Sequence, residues 1–304
     1  MSAKERVVSV CLRMLPIRHG KHRLLDKLGR LLGRLEPSLR TVREGKHEIL
    51  LDVSDLIGRH YLLLGSFDPE VVDVLSTFVT GREDVFWGVG ANKGVICYQI
   101  LRRVPGIRIV AFEPQRRLAD VVRHNLAALC PGRFEVVAAG LGEVAAELEL
   151  AIPADNTGKA SLHFDPNDSA CRKERVRILT ADDAVRESEF GWPSIVKVDV
   201  EGHEPEVLRS LDPALCEAVP KAVVFEHLEG RDERFRAMSD LLIGRGYGVF
   251  AIPKTPLVTV LKSLDVTVSA TDFVGVRKDL LDPGRRGTIL LRELSRSPAL
   301  RNSN

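Results

Sequence analysis

Residues 84–94, DVFWGVGANKG, restrict what this chain can fold into more than any other stretch. An apolar run reads as a strand buried on both faces, and it opens directly into Gly88, Gly90, Ala91 and Gly94. A strand that runs into small residues and then a helix is how a nucleotide-binding loop begins, because glycine lets the backbone approach a ligand closely. The spacing of Gly88, Gly90 and Gly94 is G-x-G-x-x-x-G, a near relative of the dinucleotide fingerprint. An NAD-dependent oxidoreductase is one reading of that spacing. It would need a hydride-site pair such as Tyr-x-x-x-Lys, and none of Tyr61, Tyr98 and Tyr247 has a lysine four residues on.

From residue 84 the chain alternates strand and helix, the pattern of a parallel sheet with crossover helices. VFWGVG precedes a helix over 94–103, IRIVAF precedes one over 116–129, and FEVVAA is a third strand. Residues 146–177 interrupt the rhythm with strands and a polar loop. SIVKVDV then resumes it, followed by a helix over 205–211 with Pro205 in its first turn, the strand KAVVFEH and a helix over 232–244. YGVFAIP and DFVGVRK form a terminal antiparallel hairpin around the loop 254–271. Upstream, residues 47–79 read as a strand, a turn and a helix leading into the core. Phe86, Trp87 and Phe112 sit inside strand runs and are expected in the core.

At 304 residues, with 44% hydrophobic and 28% charged residues, the composition is globular and singles out no special class. Charge is unevenly spread. Up to Lys46 there are twelve Lys or Arg against four acids, although the whole chain carries only +2. Within this basic arm, 1–47, Leu24, Leu28, Leu31, Leu32 and Leu35 predict an amphipathic helix between Lys21 and Pro37, packing on the main domain or touching a membrane or lipid-linked substrate. The apolar start VVSVCLRMLPIRHG is broken by Arg13 and Pro16 and reads as mature sequence. No run of about 18 uninterrupted apolar residues is present. Cys11, Cys97, Cys130, Cys171 and Cys216 have no paired spacing, which fits a reducing cytoplasm. The basic tail 281–304, with Arg285, Arg286, Arg292, Arg296 and Arg301, carries no nucleic-acid motif and reads as solvated.

Ligands of such sheets bind beyond the carboxyl ends of the strands. Three ends here carry polar residues: Gly90, Ala91 and Asn92; then Glu113 in AFEP; then Asp199, Glu201, His203 and Glu204 in KVDVEGHE. Glu113 follows Gly94 by 19 residues, where a carboxylate can accept both hydroxyls of a ribose. Asp199, Glu201 and His203 stand where a proton acceptor is useful, and the cluster rather than one member is the candidate. Glu204 is expected to cap the helix that Pro205 opens. Asp199, Glu201, Glu226 and His227 could offer oxygen and nitrogen ligands, but no spacing fixes their geometry, so no metal is assigned.

VGANKG, AFEPQRRLADVVRHNL, VVAAGLGE, IVKVDVEGHEPEVLRSL and AVVFEH, in that order, resemble the successive motifs of the FkbM family of S-adenosylmethionine-dependent O-methyltransferases. The resemblance covers roughly residues 48–250. It implies a class I Rossmann-like α/β methyltransferase over 48–280, mostly parallel and doubly wound, with the C-terminal hairpin and an N-terminal helical arm. It implies S-adenosylmethionine as cofactor, with Gly90, Asn92 and Gly94 along its methionine and ribose, Glu113 on the ribose hydroxyls, the turn 138–141 with its Ala139 near adenine and Asp199 beside the reacting methyl. The implied acceptor is a hydroxyl on a small molecule or glycan, a sugar of a glycolipid, polysaccharide or glycosylated metabolite. The family usually has Asp immediately before VGAN, where this chain has Gly88; a non-catalytic relative that kept the fold is the alternative this raises.

Overall fold

The computed structural model describes residues 2–16, 21, 24–25, 39–44, 47–127, 129–153, 160–162, 171–217, 220–255, 258–281 and 288–290. Most of the helix predicted between Lys21 and Pro37, most of the loop 154–171 and the arginines of the C-terminal tail lie outside the described residues.

The central sheet forms where the strand–helix rhythm predicts it. Strands β3 (Val85–Val89), β4 (Arg108–Phe112), β5 (Phe134–Val137), β9 (Ile195–Val198) and β10 (Ala222–Glu226) lie in the order β5-β4-β3-β9-β10, all parallel. The chain starts in the middle at β3 and winds outward both ways, so β3 and β9 flank the point where the winding reverses. β3 shows why its sequence is apolar throughout: Val85, Trp87 and Val89 pack on one face and Phe86 on the other. Phe86, Trp87 and Phe112 are fully buried.

One face is covered by α2 (Leu56–Leu64), α3 (Pro69–Thr77), α4 (Val95–Arg103) and α5 (Arg116–Ala127). The other carries α6 (Ala181–Glu187), α7 (Glu204–Ser210), α8 (Asp212–Glu217) and α9 (Glu233–Gly244). The hairpin forms from β11 (Tyr247–Ile252) and β13 (Asp272–Arg277), with β13 inserted antiparallel between β10 and β11. The sheet continues past the hairpin. β12 (Val260–Ser263), inside the stretch read as a loop, pairs with β11, and β14 (Thr288–Leu290), inside the stretch read as a solvated tail, pairs with β12.

Two smaller assemblies complete the fold. β6 (Gly140–Leu141), β7 (Ala146–Pro153) and β8 (Cys171–Leu179) form a three-stranded sheet. The N-terminal helix α1 (Ala3–Met14) has a Ser2–Glu5 capping box and packs on α2, near the ribbon of β1 (Leu39–Glu44) and β2 (His47–Asp52), where Arg40 pairs with Glu5. Among the described residues no helix is long and apolar enough to cross a membrane.

Candidate active site

β3 and β9 end side by side, and the two loops that leave them are pressed together. Gly90 has φ 78°, and a Cβ there would stand 1.7 Å from the carbonyl oxygen of Asp199. Only glycine satisfies both the left-handed backbone and that approach. The amides of Gly90 and Ala91 both donate to the Phe112 carbonyl, tying the loop to the end of β4. Asn92 follows with φ 53°, and its amide donates to the Glu113 carboxylate at 2.8 Å. Gly94 turns the chain into α4 at φ 72° against Val122 and does not line the cavity.

Glu113 is 4% exposed, and its second oxygen accepts from the Gln115 amide at 3.0 Å. Burial pushes its pKa up to about 7, against the pull of the Gln115 and Asn92 amides and of Lys93. Each oxygen keeps a lone pair for a further donor, and the carboxylate faces a cavity of about 60 Å³ walled by Leu141, Leu150 and Ile178. Carboxylate on one side and apolar wall on the other suit a ribose with its base. Of the turn 138–141 expected beside adenine, Gly140 and Leu141 line this cavity, while Ala139 is fully buried in the core.

On the other side of Gly90 a larger cavity of about 370 Å³ is lined by Asp55, Leu56, Gly88, Asn92, Lys197, Asp199, Glu201 and Glu226, among others. The loop KVDVEGHE is held by Glu204, whose carboxylate accepts from the amides of Val200 (3.0 Å) and Gly202 (3.1 Å). Glu204 thus braces the loop before its helix rather than the helix itself. Glu201 has φ 53°, and its carbonyl accepts from Ser161 Oγ at 2.9 Å. His203 is the first residue before α7 and lies on the Glu113 side of the cavity wall, 3.5 Å from Glu206. Asp199, Glu201 and His203 therefore all face the Glu113 cavity, and Asp199 and Glu201 also face the larger one.

Lys197, a lysine in a fully buried strand, sets the electrostatics. Its Nζ lies 2.5 Å from Asp199 Oδ2. Burial opposes its charge, but Asp199, Asp272 and Glu226 outweigh that and hold it protonated. Burial likewise pushes Asp199 up, yet Lys197 and a hydrogen bond from Glu226 hold its carboxyl below the usual range. Glu226 takes the opposite course: burial and the charges of Asp199 and Asp272 raise it to about 10, so it is a neutral acid at pH 7. Burial and Asp68 raise Asp272 to about 6. Sequence reading missed Lys197 and Asp272; a lysine within the apolar run SIVKVDV was the available signal for the first.

Gly88 lies opposite Lys197 in the β3–β9 register. A Cβ at Gly88 would stand 2.9 Å from Cys97 Sγ, and the Cys97 thiol, raised to about 12 by burial, is a packing group. The space of a side chain at 88 is thus partly taken, and the counter-charges of Lys197 come from Asp199 and Asp272. Of the residues weighed for a cation, Asp199, Glu201 and Glu226 bring oxygens within 4.8 Å of one another. His227 turns away to Asp232, with Nε2 2.9 Å from Oδ1.

The methyltransferase FkbM domain matches residues 88–249, from the glycine loop through β11. The chain belongs to the FkbM methyltransferase family. The hexuronic acid methyltransferase AglP of Haloferax volcanii is 29% identical over 137 residues, which are 44% of this chain and 52% of that protein. The AMB antimetabolite synthetase AmbE of Pseudomonas aeruginosa is 28% identical over 199 residues, 53% of this chain and 9% of that protein. The chain thus spans about half the length of the first relative and a small part of the second. Precorrin-6y C5,15-methyltransferase of Geobacter metallireducens GS-15 superposes with a TM-score of 0.40 at 14% identity, over 68% of this chain and 88% of that one. S-adenosylmethionine is the cofactor of this FkbM domain, and the residues fit it: the Gly90 cradle that a Cβ would fill, and buried Glu113 beside an apolar wall.

Proposed function

We propose that the protein transfers the methyl group of S-adenosylmethionine to a hydroxyl of a sugar, in a glycolipid, a polysaccharide or a glycosylated metabolite. The observation that carries this reading is the pairing of two cavities across Gly90, one centred on Glu113 and the other on Asp199. The bound cofactor supplies an electrophilic methyl on a sulfonium. Gly90, Asn92 and Glu113 would hold it, with Gly140 and Leu141 beside its adenine. Asp199, ionised beside Lys197, would take the proton of the acceptor hydroxyl as its oxygen accepts the methyl. Glu201 borders the same space and positions the acceptor, while His203 borders the Glu113 cavity on the cofactor side. The enzyme's main contribution is alignment of acceptor oxygen and methyl, an effect of several kcal/mol.

The acidic floor favours a neutral hydroxyl over a carboxylate acceptor. A hydroxyl needs a base and finds Asp199; a carboxylate needs none and would meet the charges of Asp199 and Glu201. The hexuronic acid named for the Haloferax relative therefore points to a sugar substrate here, with a ring hydroxyl as the methylated group. Calorimetry with S-adenosylmethionine and S-adenosylhomocysteine tests the first half, and micromolar binding is expected. Radiolabelled methyl transfer to neutral sugars and to uronic acids tests the second. Absence of binding by both cofactor forms, or base-labile methyl ester as the sole product, would sink it.

A further inference from the structure

The outer face of α1 carries an apolar stripe that nothing in the described structure covers. Val7, Val10 and Met14 are 62%, 55% and 78% exposed, and Cys11 is exposed beside them. At 100° per residue these four side chains fall within an arc of about 100°. Exposed Lys4 borders the arc on one side, and exposed Arg6 borders it on the other. The opposite face is fixed to the protein. Leu12 is buried, Ser9 Oγ donates to the Leu63 carbonyl at 2.9 Å, and Arg13 donates to the carbonyls of Leu62 and Leu63. The helix is thus presented, cap formed and inner face docked, with its apolar stripe outward.

We infer that this stripe docks on an anionic membrane surface. An apolar arc flanked by cations is the pattern of a helix lying in the bilayer interface. The sequence that carries the helix has the matching sign, since the first 46 residues hold twelve Lys or Arg against four acids. A second copy of the chain is a poorer occupant, because a stable protein interface buries about 800 Å² per partner, more than four side chains on one helix supply. The placement also serves the cavity. α1 is anchored at the Leu62–Leu63 end of α2, and Asp55, Leu56 and Ile57 at the other end line the cavity. That helix spans about 13 Å, so docking brings the cavity within reach of a membrane-borne acceptor.

Vesicle co-sedimentation of the full chain tests this without turnover, so its outcome is separate from that of the methyl-transfer reading. The chain is expected to sediment with vesicles of mixed phosphatidylcholine and phosphatidylglycerol, less as salt rises, and not with phosphatidylcholine alone. Val10→Asp with Met14→Asp should weaken binding by about tenfold or more. Lys4→Gln and Arg6→Gln should each weaken it roughly fivefold. Far-UV circular dichroism should show all variants folded. No sedimentation with either vesicle, or binding indifferent to Val10→Asp/Met14→Asp, overturns the inference. So does a dimer by light scattering that those substitutions split, which would make a second copy the occupant.

Discussion

The two loops that meet at Gly90 leave neighbouring strands at the same end of the sheet, yet they are built on opposite principles. The loop after β3 is made of small residues, is tied by backbone amides to Phe112 and Glu113, and offers a ligand mainly shape. The loop after β9 carries Asp199, Glu201, His203 and Glu204, is braced by a carboxylate, and offers charge. Each places one non-glycine residue at φ 53°, Asn92 in the first and Glu201 in the second. The difference separates holding from reacting: the first loop fits closely, with its Lys93 paired to Asp55, and the second supplies the ionised group for the reaction.

The sharpest way to break this division is Asp199→Asn. It removes the acceptor of the proton while leaving the shape of both loops, so kcat should fall by about 10²–10⁴-fold. Cofactor affinity by calorimetry should stay within a few-fold. Turnover within tenfold of the parent would remove Asp199 from the chemistry. Gly90→Ala is the converse case. Its Cβ cannot coexist with the Asp199 carbonyl 1.7 Å away, so one loop must move. Cofactor affinity should drop by roughly 10²-fold and stability by about 2–4 kcal/mol, read by calorimetry and urea unfolding. Unchanged affinity would show that the fit between the loops is not what holds the cofactor.

Glu204→Ala acts on the bracing alone. It leaves the amides of Val200 and Gly202 without their acceptor, at a cost of about 1–3 kcal/mol. With Asp199 still present but less well placed, turnover should fall roughly tenfold and cofactor affinity should change little. A fall in affinity as large as the fall in turnover would mean that the two loops are one unit, and that holding and reacting cannot be separated.

What could be read from the sequence was what is local. The strand–glycine–helix join, the carboxylate at the end of the next strand and the acidic motif at the end of β9 each announce themselves within a few residues. Facts that arise across the sheet could not be read. Gly88 looked like the loss of an acid, but its meaning depends on Lys197 from the neighbouring strand and Cys97 from α4. Asp272, which helps balance Lys197, reaches the site on an antiparallel strand inserted from far along the chain. β12 and β14, four and three residues long, are too short for their periodicity to stand out from a loop.

Glu113 joins the two regions, since it takes the Asn92 amide from the first loop and shares a cavity wall with Asp199 from the second. Its pKa of about 7 in the fold lies above the ordinary 4.5. Between those values the native chain holds a proton that the unfolded chain has released. Stability contributed by this group is therefore full below pH 4.5, falls as pH rises through that window and levels off above about 7. Glu113→Gln cannot ionise, so that part of the slope should vanish in urea unfolding compared at pH 5 and pH 8. If the slopes of parent and variant coincide, Glu113 ionises in the fold as it does in the unfolded chain. The bonds from Asn92 and Gln115 would then outweigh its burial, and the carboxylate would be charged before any ribose hydroxyl arrives.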